Sequence, residues 1–527
     1  MSNRASVTKG DPTDRQDTLG ERDMTRIART TRRTTASAVA TAASFLLLAG
    51  AGILAAPSAF AGVPGGTSAA DRNSDFDGDG RADVLIGVPE GTVDGKEGAG
   101  YVTVQYGAPS GIGSNHTVPK GRTAVISQST RGVPGTSEAW DDFGQAVATG
   151  DLDGDGYDDA VIGAPGEDEG GVADAGRVTV LYGSRAGLGA GRTASVTAAA
   201  PARGARFGLA VAAARFTGDT DADQLVVVDQ KVGLTAFTYH AGVLRRVGAP
   251  HSTGHRLQPG YVTTGDYDRD GFADLVVSGY SPDDDYTQGW SAYYAGGPEG
   301  LSYRRDLHGG LGTASGDINH DGYDDLVVGQ LSAADESTGD ANAPGGLVGV
   351  YYGGEHGPAG TQGPGSSAQW WSQNSPGVPG TAEQGDAWGA DLSVADVNGD
   401  GFADVAVGAP GEDVGTVADA GAVWLLRGTA RGLTGSGAQS FDQNTRGIPG
   451  TAEADDGWGA QVRLVDTDGG GRAELLASAA GENAGDGAVW LLPASGGGLL
   501  ADGSWVYGAA ALGGNGHSAR FGAVIDE

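Results

Sequence analysis

Apolar and polar positions alternate along most of this chain in runs too short for helices. Segments such as YVTVQYG (101–107), RVTVLYG (177–183), LVGVYYG (347–353) and AVWLLRG (422–428) carry the residues of half-buried strands and end in glycine. Before such a strand comes a shorter apolar run, for example AVIGAP (160–165) or VAVGAP (405–410), followed by a Gly-rich polar loop. After it comes another strand-like piece, as in RTAVISQ (122–128) or AQWWSQ (368–373). Upstream of the apolar run lies a fourth kind of segment: DFGQAVATG (142–150), RFGLAVAAA (206–214), AWGADLSVA (387–395) or GWGAQVRLV (457–465). Four short strands therefore make one unit, and no flanking segment has an amphipathic helical period.

The units recur. Between the first and second strands of each lies an acidic nonapeptide. Five intact copies start at Asp75, Asp151, Asp266, Asp317 and Asp396, and two weaker ones at Arg215 and Asp466. The seven copies are 51 to 79 residues apart, a period that signals a solenoid or propeller. The aromatic of the first segment, Phe143, Phe207, Trp388 or Trp458, lies eight residues before its loop. Seven units of four strands predict an all-β fold, a seven-bladed β-propeller of antiparallel blades spanning residues 75–527.

So many carboxylates at short range repel one another unless something neutralises them. Oxygen side chains at loop positions 1, 3, 5 and 9, with the backbone carbonyl of position 7, can supply most of the shell of a hard cation such as Ca²⁺, and a glycine at position 6 allows the turn. This assigns Asp75, Asp77, Asp79, Arg81 and Asp83 to the first site, and Asp151, Asp153, Asp155, Tyr157 and Asp159 to the second. It assigns Asp266, Asp268, Asp270, Phe272 and Asp274 to a third, and Asp317, Asn319, Asp321, Tyr323 and Asp325 to a fourth. Asp396, Asn398, Asp400, Phe402 and Asp404 form the fifth. An EF-hand would place Glu at position 12, where this chain has Ile86, Ile162, Val277, Val328, Val407 or Ala477. The Asp466 loop keeps Asp466, Asp468 and Glu474 but has Gly470 at position 5, so it is expected to be weak or empty. The Arg215 loop is expected to be metal-free, its guanidinium replacing the ion by pairing with Asp219 or Asp223.

FGQAVATGDLDGDGYDDAVIGAP (143–165) resembles the FG-GAP repeat of the integrin α-subunit head, which also occurs in bacterial secreted proteins and in GPI-specific phospholipase D. The resemblance extends over residues 75–527. It departs in the fourth and fifth repeats, which lack the FG aromatic and read SGY and GQL in place of GAP. It implies a ring whose structural calcium loops join strands one and two of each blade. The 2–3 loops and 4–1 connections then share the opposite face, the one that binds ligands in integrins. Trp140 and Trp290 are candidate anchors there, packing between blades being the alternative for both. Trp388 and Trp458 belong to the core. Trp370 and Trp371 are expected to divide between core and surface.

Charge and the N-terminus narrow the setting. The formal net charge of -34 argues against nucleic acid, which wants a basic surface. The absence of cysteine excludes disulfides and thiolate metal sites. Residues 1–61 read as a secretory signal region, with basic RIARTTRR (26–33), the apolar run 36–56 and a small-residue cleavage site ending at Ala61; Met24 is an alternative start. Residues 62–74 are a short linker. No G-x-S-x-G or H-E-x-x-H motif is present, and the eight histidines are scattered. The expectation is a secreted, monomeric, calcium-binding adhesion or binding module with an extracellular protein or glycan ligand and no membrane span after signal cleavage. An extracellular phosphoesterase-like hydrolase and a structural cell-surface component are the alternatives.

The ends carry complementary defects. Position 67, where the first unit should have its FG aromatic, is Thr67, whereas the C-terminus reads ARFGAVIDE (519–527) with no metal loop after it. The C-terminal segment around Arg520–Ile525 is therefore expected to supply the first strand of the first blade, closing the ring.

Overall fold

A computed structural model describes residues 74–112, 123–189, 191–218, 222–230, 233–248, 257–281, 289–331, 345–359 and 368–526. The signal region, nearly all of the linker and Asp219 lie outside them. The described residues form seven four-stranded antiparallel sheets, arranged as the blades of a ring, with a left-handed turn at Glu482–Gly485 and a single turn of helix at Ala509–Leu512. Blade 2 shows the plan: Ala146–Gly150, Asp159–Ala164, Arg177–Leu181 and Thr193–Val196 lie side by side in chain order. Among the described residues no helix is long and apolar enough to cross a membrane.

The hydrophobic cores lie between blades. Phe143 packs with Leu85, Val102 and Ile162 across blades 1 and 2, and Trp458 packs with Val423, Leu475 and Trp490 across blades 6 and 7. Phe143, Phe207, Trp388, Trp458 and Phe521 are all completely buried, as expected for the FG aromatic. The glycine that follows it has a steric reason. Gly144 has φ 95°, and its carbonyl presses on Gly87 of the preceding blade so closely that a β-carbon there would lie 2.0 Å from it. The FG and GAP glycines thus meet across the blade interface, and only glycine satisfies both the backbone angle and the approach. Trp370 and Trp371 depart from expectation. Both are half-buried, because Trp370 packs on the core shared by blades 4 and 5 and Trp371 on that of blades 5 and 6. In this blade the fourth strand contacts a core on either side, so neither tryptophan is free.

The ring closes as the end defects predict. Val524–Ile525 pairs antiparallel with Val84–Val88 and completes blade 1. Asp526 then turns inward, wholly buried. It accepts hydrogen bonds from the Leu85 N–H (2.8 Å) and Ser74 Oγ (2.9 Å), and pairs with the Arg463 guanidinium at 2.5 Å. A second closure runs beneath the blades. The loop backbones form seven successive hydrogen bonds, from Asp158 N–H to the Asp75 carbonyl (3.2 Å) round to Ala82 N–H to the Asp466 carbonyl (3.4 Å). The acidic loops are therefore linked into one rim.

Candidate metal loops and the opposite face

Each acidic loop is built on its own backbone. The position-1 carboxylate accepts the N–H groups of positions 5 and 6. Asp75 takes those of Asp79 (3.0 Å) and Gly80 (2.8 Å), and Asp151, Asp266, Asp317, Asp396 and Asp466 repeat the arrangement. Asp79, Asp155, Asp270, Asp321 and Asp400 accept the N–H of position 7: Arg81, Tyr157, Phe272, Tyr323 and Phe402. At position 9, Asp83, Asp159, Asp274, Asp325 and Asp404 have no exposed surface and accept the N–H of the glycine ending the third strand, from Gly107 to Gly428.

The structure brings together Asp75, Asp77 and Asp83 in blade 1, and Asp151, Asp153 and Asp159 in blade 2, with ligand oxygens all within 4.8 Å of one another. In blade 4 the group is Asp266, Asp268 and Asp270, without Asp274. Asp466, Asp468 and Glu474 gather within the same limit. These clusters have the donor atoms to hold a metal ion. Blades 5 and 6 have asparagine at position 3, so no three carboxylates meet there. Asn398 donates Nδ2 to Asp400 (2.9 Å), and its Oδ1 is buried without a hydrogen-bond partner among the described residues. Burial pushes Asp83, Asp159, Asp274 and Asp325 well above the usual carboxylate range, and neighbouring loop carboxylates push the same way. Burial likewise raises Asp151 and Asp266 to about 6. A bound cation would act in the opposite direction. All-oxygen donors, an orphaned acceptor and uncompensated buried carboxylates fit a hard ion.

Two arginines enter these loops without having been anticipated. Arg192 Nη2 lies 2.5 Å from Asp153, and Arg427 Nη1 lies 3.0 Å from Asp404. Arg427 stands immediately before the glycine ending a third strand, where Tyr106, Tyr182 and Tyr352 stand in other blades; a basic residue at that place is the signal that could have found it. The third loop is also constructed differently from its sequence alignment. It is one residue longer, and Gln224, not Asp223, holds the position-9 role by accepting the Thr217 N–H at 2.9 Å. Asp223 instead accepts the Asp151 N–H (3.0 Å), as Asp158 accepts that of Asp75. A neutral amide in the innermost position removes one of the ligands' charges. Arg215 acts on Asp223, drawing down a carboxyl that burial raises to about 8.

The 2–3 loops meet the 4–1 connections on the other face. Trp140 N–H bonds to the Glu97 carbonyl (3.1 Å), and Asp142 N–H to that of Gly98 (3.0 Å). Trp140 is 55% exposed with φ 72°. The matching residues of blades 6 and 7, Gly385 (φ 110°) and Asp455 (φ 66°), show that this backbone position is left-handed in those blades as well. A tryptophan there carries strain of about 1–2 kcal/mol. Trp290 is half-buried, its ring 4.6 Å from that of His308.

Beside Trp140, Asp141 is buried. Its carboxyl is raised to about 7, chiefly by burial, with Glu167, Glu138 and Asp142 adding and the Glu138 N–H bond opposing. A raised carboxyl favours the fold only while protonated. Its contribution is full below the unfolded value of 3.8 and is lost as pH climbs through about 7. Asp141→Asn, which can still accept the Glu138 N–H, should therefore melt above wild type at about pH 8, with the gap narrowing as pH falls and closing only near about pH 4. Thermal melts across that range check it; a gap that widens towards acid would contradict it.

The family model described as FG-GAP repeat matches residues 73–104, 143–181 and 388–426, which fall in blades 1, 2 and 6. No curated protein is significantly similar in sequence. Among the solved structures that match is the BP39L lectin from Burkholderia pseudomallei, 14% identical, with a TM-score of 0.43 over 79% of this chain and 96% of that one. FG-GAP repeats are thus matched in three blades of a seven-bladed propeller whose blades share one plan, an arrangement consistent with an integrin α-like N-terminal propeller.

Proposed function

We propose that this propeller is a secreted binding module that holds an extracellular protein or glycan on the face of its 2–3 loops and 4–1 connections, with structural Ca²⁺ in the rim beneath. The observation that carries the reading is Trp140: a large aromatic, 55% exposed, kept at a left-handed position where a sister blade has glycine. Local strain of this kind points to a role outside folding. An exposed indole flanked by Glu138 and Asp142 offers an apolar plate with hydrogen-bond acceptors beside it, which suits a sugar ring or a basic side chain.

The calcium would be held by Asp75, Asp77 and Asp83, by Asp151, Asp153 and Asp159, by Asp266, Asp268 and Asp270, and by Asp466, Asp468 and Glu474, with the loops at Asp317 and Asp396 completed by their asparagines. The ion would neutralise the rim, and the chain itself would present the ligand face. Probing arrays of glycans and of extracellular matrix proteins with wild type and Trp140→Gly tests the reading. The expected result is a bound ligand that the variant holds at least about tenfold more weakly, a loss typical of a buried aromatic anchor, with an unchanged or higher melting temperature. No ligand on either array, or binding indifferent to Trp140→Gly, would overturn it.

A further inference from the structure

An open cleft of about 780 Å³ lies on the acidic-rim side of the ring, where blade 6 meets blade 7. One replacement sets this boundary apart. Between blades 1 and 2 the Tyr106 hydroxyl accepts the Leu188 N–H (2.9 Å), and between blades 5 and 6 that of Tyr352 accepts the Leu433 N–H (3.0 Å). Each ring thus spans to a turn of the next blade. Between blades 6 and 7 the equivalent residue is Arg427. Its side chain is 13% exposed, and it donates Nη1 to Asp404 (3.0 Å) and Nη2 to the Gly497 carbonyl (2.6 Å). Gly497 belongs to the hairpin that pairs Ala494–Ser495 with Gly498–Leu499. Gln439 fixes that hairpin by bonding both backbone groups of Leu499, each at 3.0 Å.

The strand beside Arg427 is irregular. Leu425 pairs with Gln439 and Arg427 with Thr434, so residues 435–438 bulge opposite Leu426 alone. Ser436, in that bulge, lines the cleft. It donates its N–H to Thr434 Oγ1 (3.2 Å), and its own hydroxyl has no hydrogen-bond partner among the described residues. The turn 429–432 forms another lip. Thr429 Oγ1 closes this turn by accepting the Arg431 N–H (3.2 Å) and donating to the Gly432 carbonyl (2.7 Å). The Arg431 guanidinium has neither an ion pair nor a hydrogen bond among the described residues, in a chain with 67 acidic side chains to 33 basic ones. The equivalent turns of blades 1, 2, 4 and 5, closed by the same backbone bond, have Ser110, Ala186, Glu299 and His356 at its place. Asp400 of the acidic loop lines the same cleft.

We propose that this cleft binds a carboxylate carried on a hydroxylated frame, the chemistry of a sugar acid. Arg431 clasps the carboxylate through its planar fork. Arg427 is a positioning residue that holds the floor and the hairpin wall together. Asp400 and Ser436 take the hydroxyl groups of the ring. With Arg427 balanced by Asp404, the charge left for a ligand is that of Arg431, which matches a monoanion, and Asp400 opposes a dianion. The volume falls within the roughly 300–1,000 Å³ of small-molecule sites, and the lining has no aromatic residue to favour an apolar ligand. The cleft lies on the other side of the ring from Trp140, so this site stands or falls independently of the one there.

Titration calorimetry in Ca²⁺-containing buffer tests the site, with glucuronate, glucose and sulfate as probes. The proteins are full-length wild type, Arg431→Ala, Arg431→Lys and the control Arg185→Ala, which removes the exposed arginine from the equivalent turn of blade 2. Wild type and the control should bind glucuronate at one site per chain, and glucose and sulfate at least about tenfold more weakly. Arg431→Ala should weaken glucuronate by at least about tenfold with an unchanged melting temperature, since the residue is exposed. Arg431→Lys should recover only part of the loss, because an ammonium lacks the fork. Failure of wild type to bind glucuronate, or equal binding by Arg431→Ala, would overturn the site. Glucose bound as tightly as glucuronate, or sulfate bound in preference to it, would overturn the ligand class. A glucuronate-soaked crystal with only water beside Arg431 would overturn both.

Discussion

Truncation after His517 will leave a chain that aggregates or melts far below wild type. The lost segment carries Phe521, Val524 and Ile525, all essentially without exposed surface, together with Asp526. Removing one large buried side chain costs about 2–5 kcal/mol. Losing three at once approaches the roughly 5–15 kcal/mol by which a whole domain is stable. The deletion also leaves Val84–Val88 as an open edge, and a bare edge invites pairing with another chain. Asp526→Ala isolates the polar part of the closure. It strands the Arg463 guanidinium, whose side chain is 4% exposed, and breaking a buried pair in this way costs about 3–5 kcal/mol. Adding Arg463→Met should recover part of that loss. Calorimetry and light scattering on the three proteins decide the matter: a truncated chain with an unchanged melting temperature would show that the tail is no strand of the ring.

Chelation will have the second largest effect. A ligand present at 100 times its dissociation constant stabilises by about 2.7 kcal/mol per site. Several such sites together should move the melting temperature by on the order of 10 °C or more, at about 2–4 °C per kcal/mol for large domains. Scanning calorimetry with excess EDTA and then with excess Ca²⁺ should show the drop and its reversal. The blade 6 loop, where Arg427 already sits 3.0 Å from Asp404, should release its ion before the loops of blades 1 and 4. An identical melting temperature in EDTA and Ca²⁺ would remove calcium from the account of this fold.

Much of the molecule is written locally. The alternation of apolar residues sets strand lengths, the seven acidic loops count the blades, and FG and GAP mark where neighbouring blades touch. Even ring closure is legible, because the missing strand near Thr67 and the surplus one at Phe521 are defects in a repeat, and a repeat makes defects visible. What the period cannot carry is any contact that depends on how two blades are set against each other. Arg463 and Asp526 are 63 residues apart and meet only because the last strand joins the first blade. The third loop looks like a shifted copy in sequence, and only strand pairing shows that Gln224 occupies the innermost place. Trp370 and Trp371 obey strand alternation, yet both faces are covered by neighbouring blades. The sequence by itself determined the architecture and the acidic rim, since both follow from short-range spacing repeated seven times. The tertiary structure alone decided which charges are paired, which tryptophan stands in solvent and which boundary between blades is left open, because those depend on side chains brought together from separate blades.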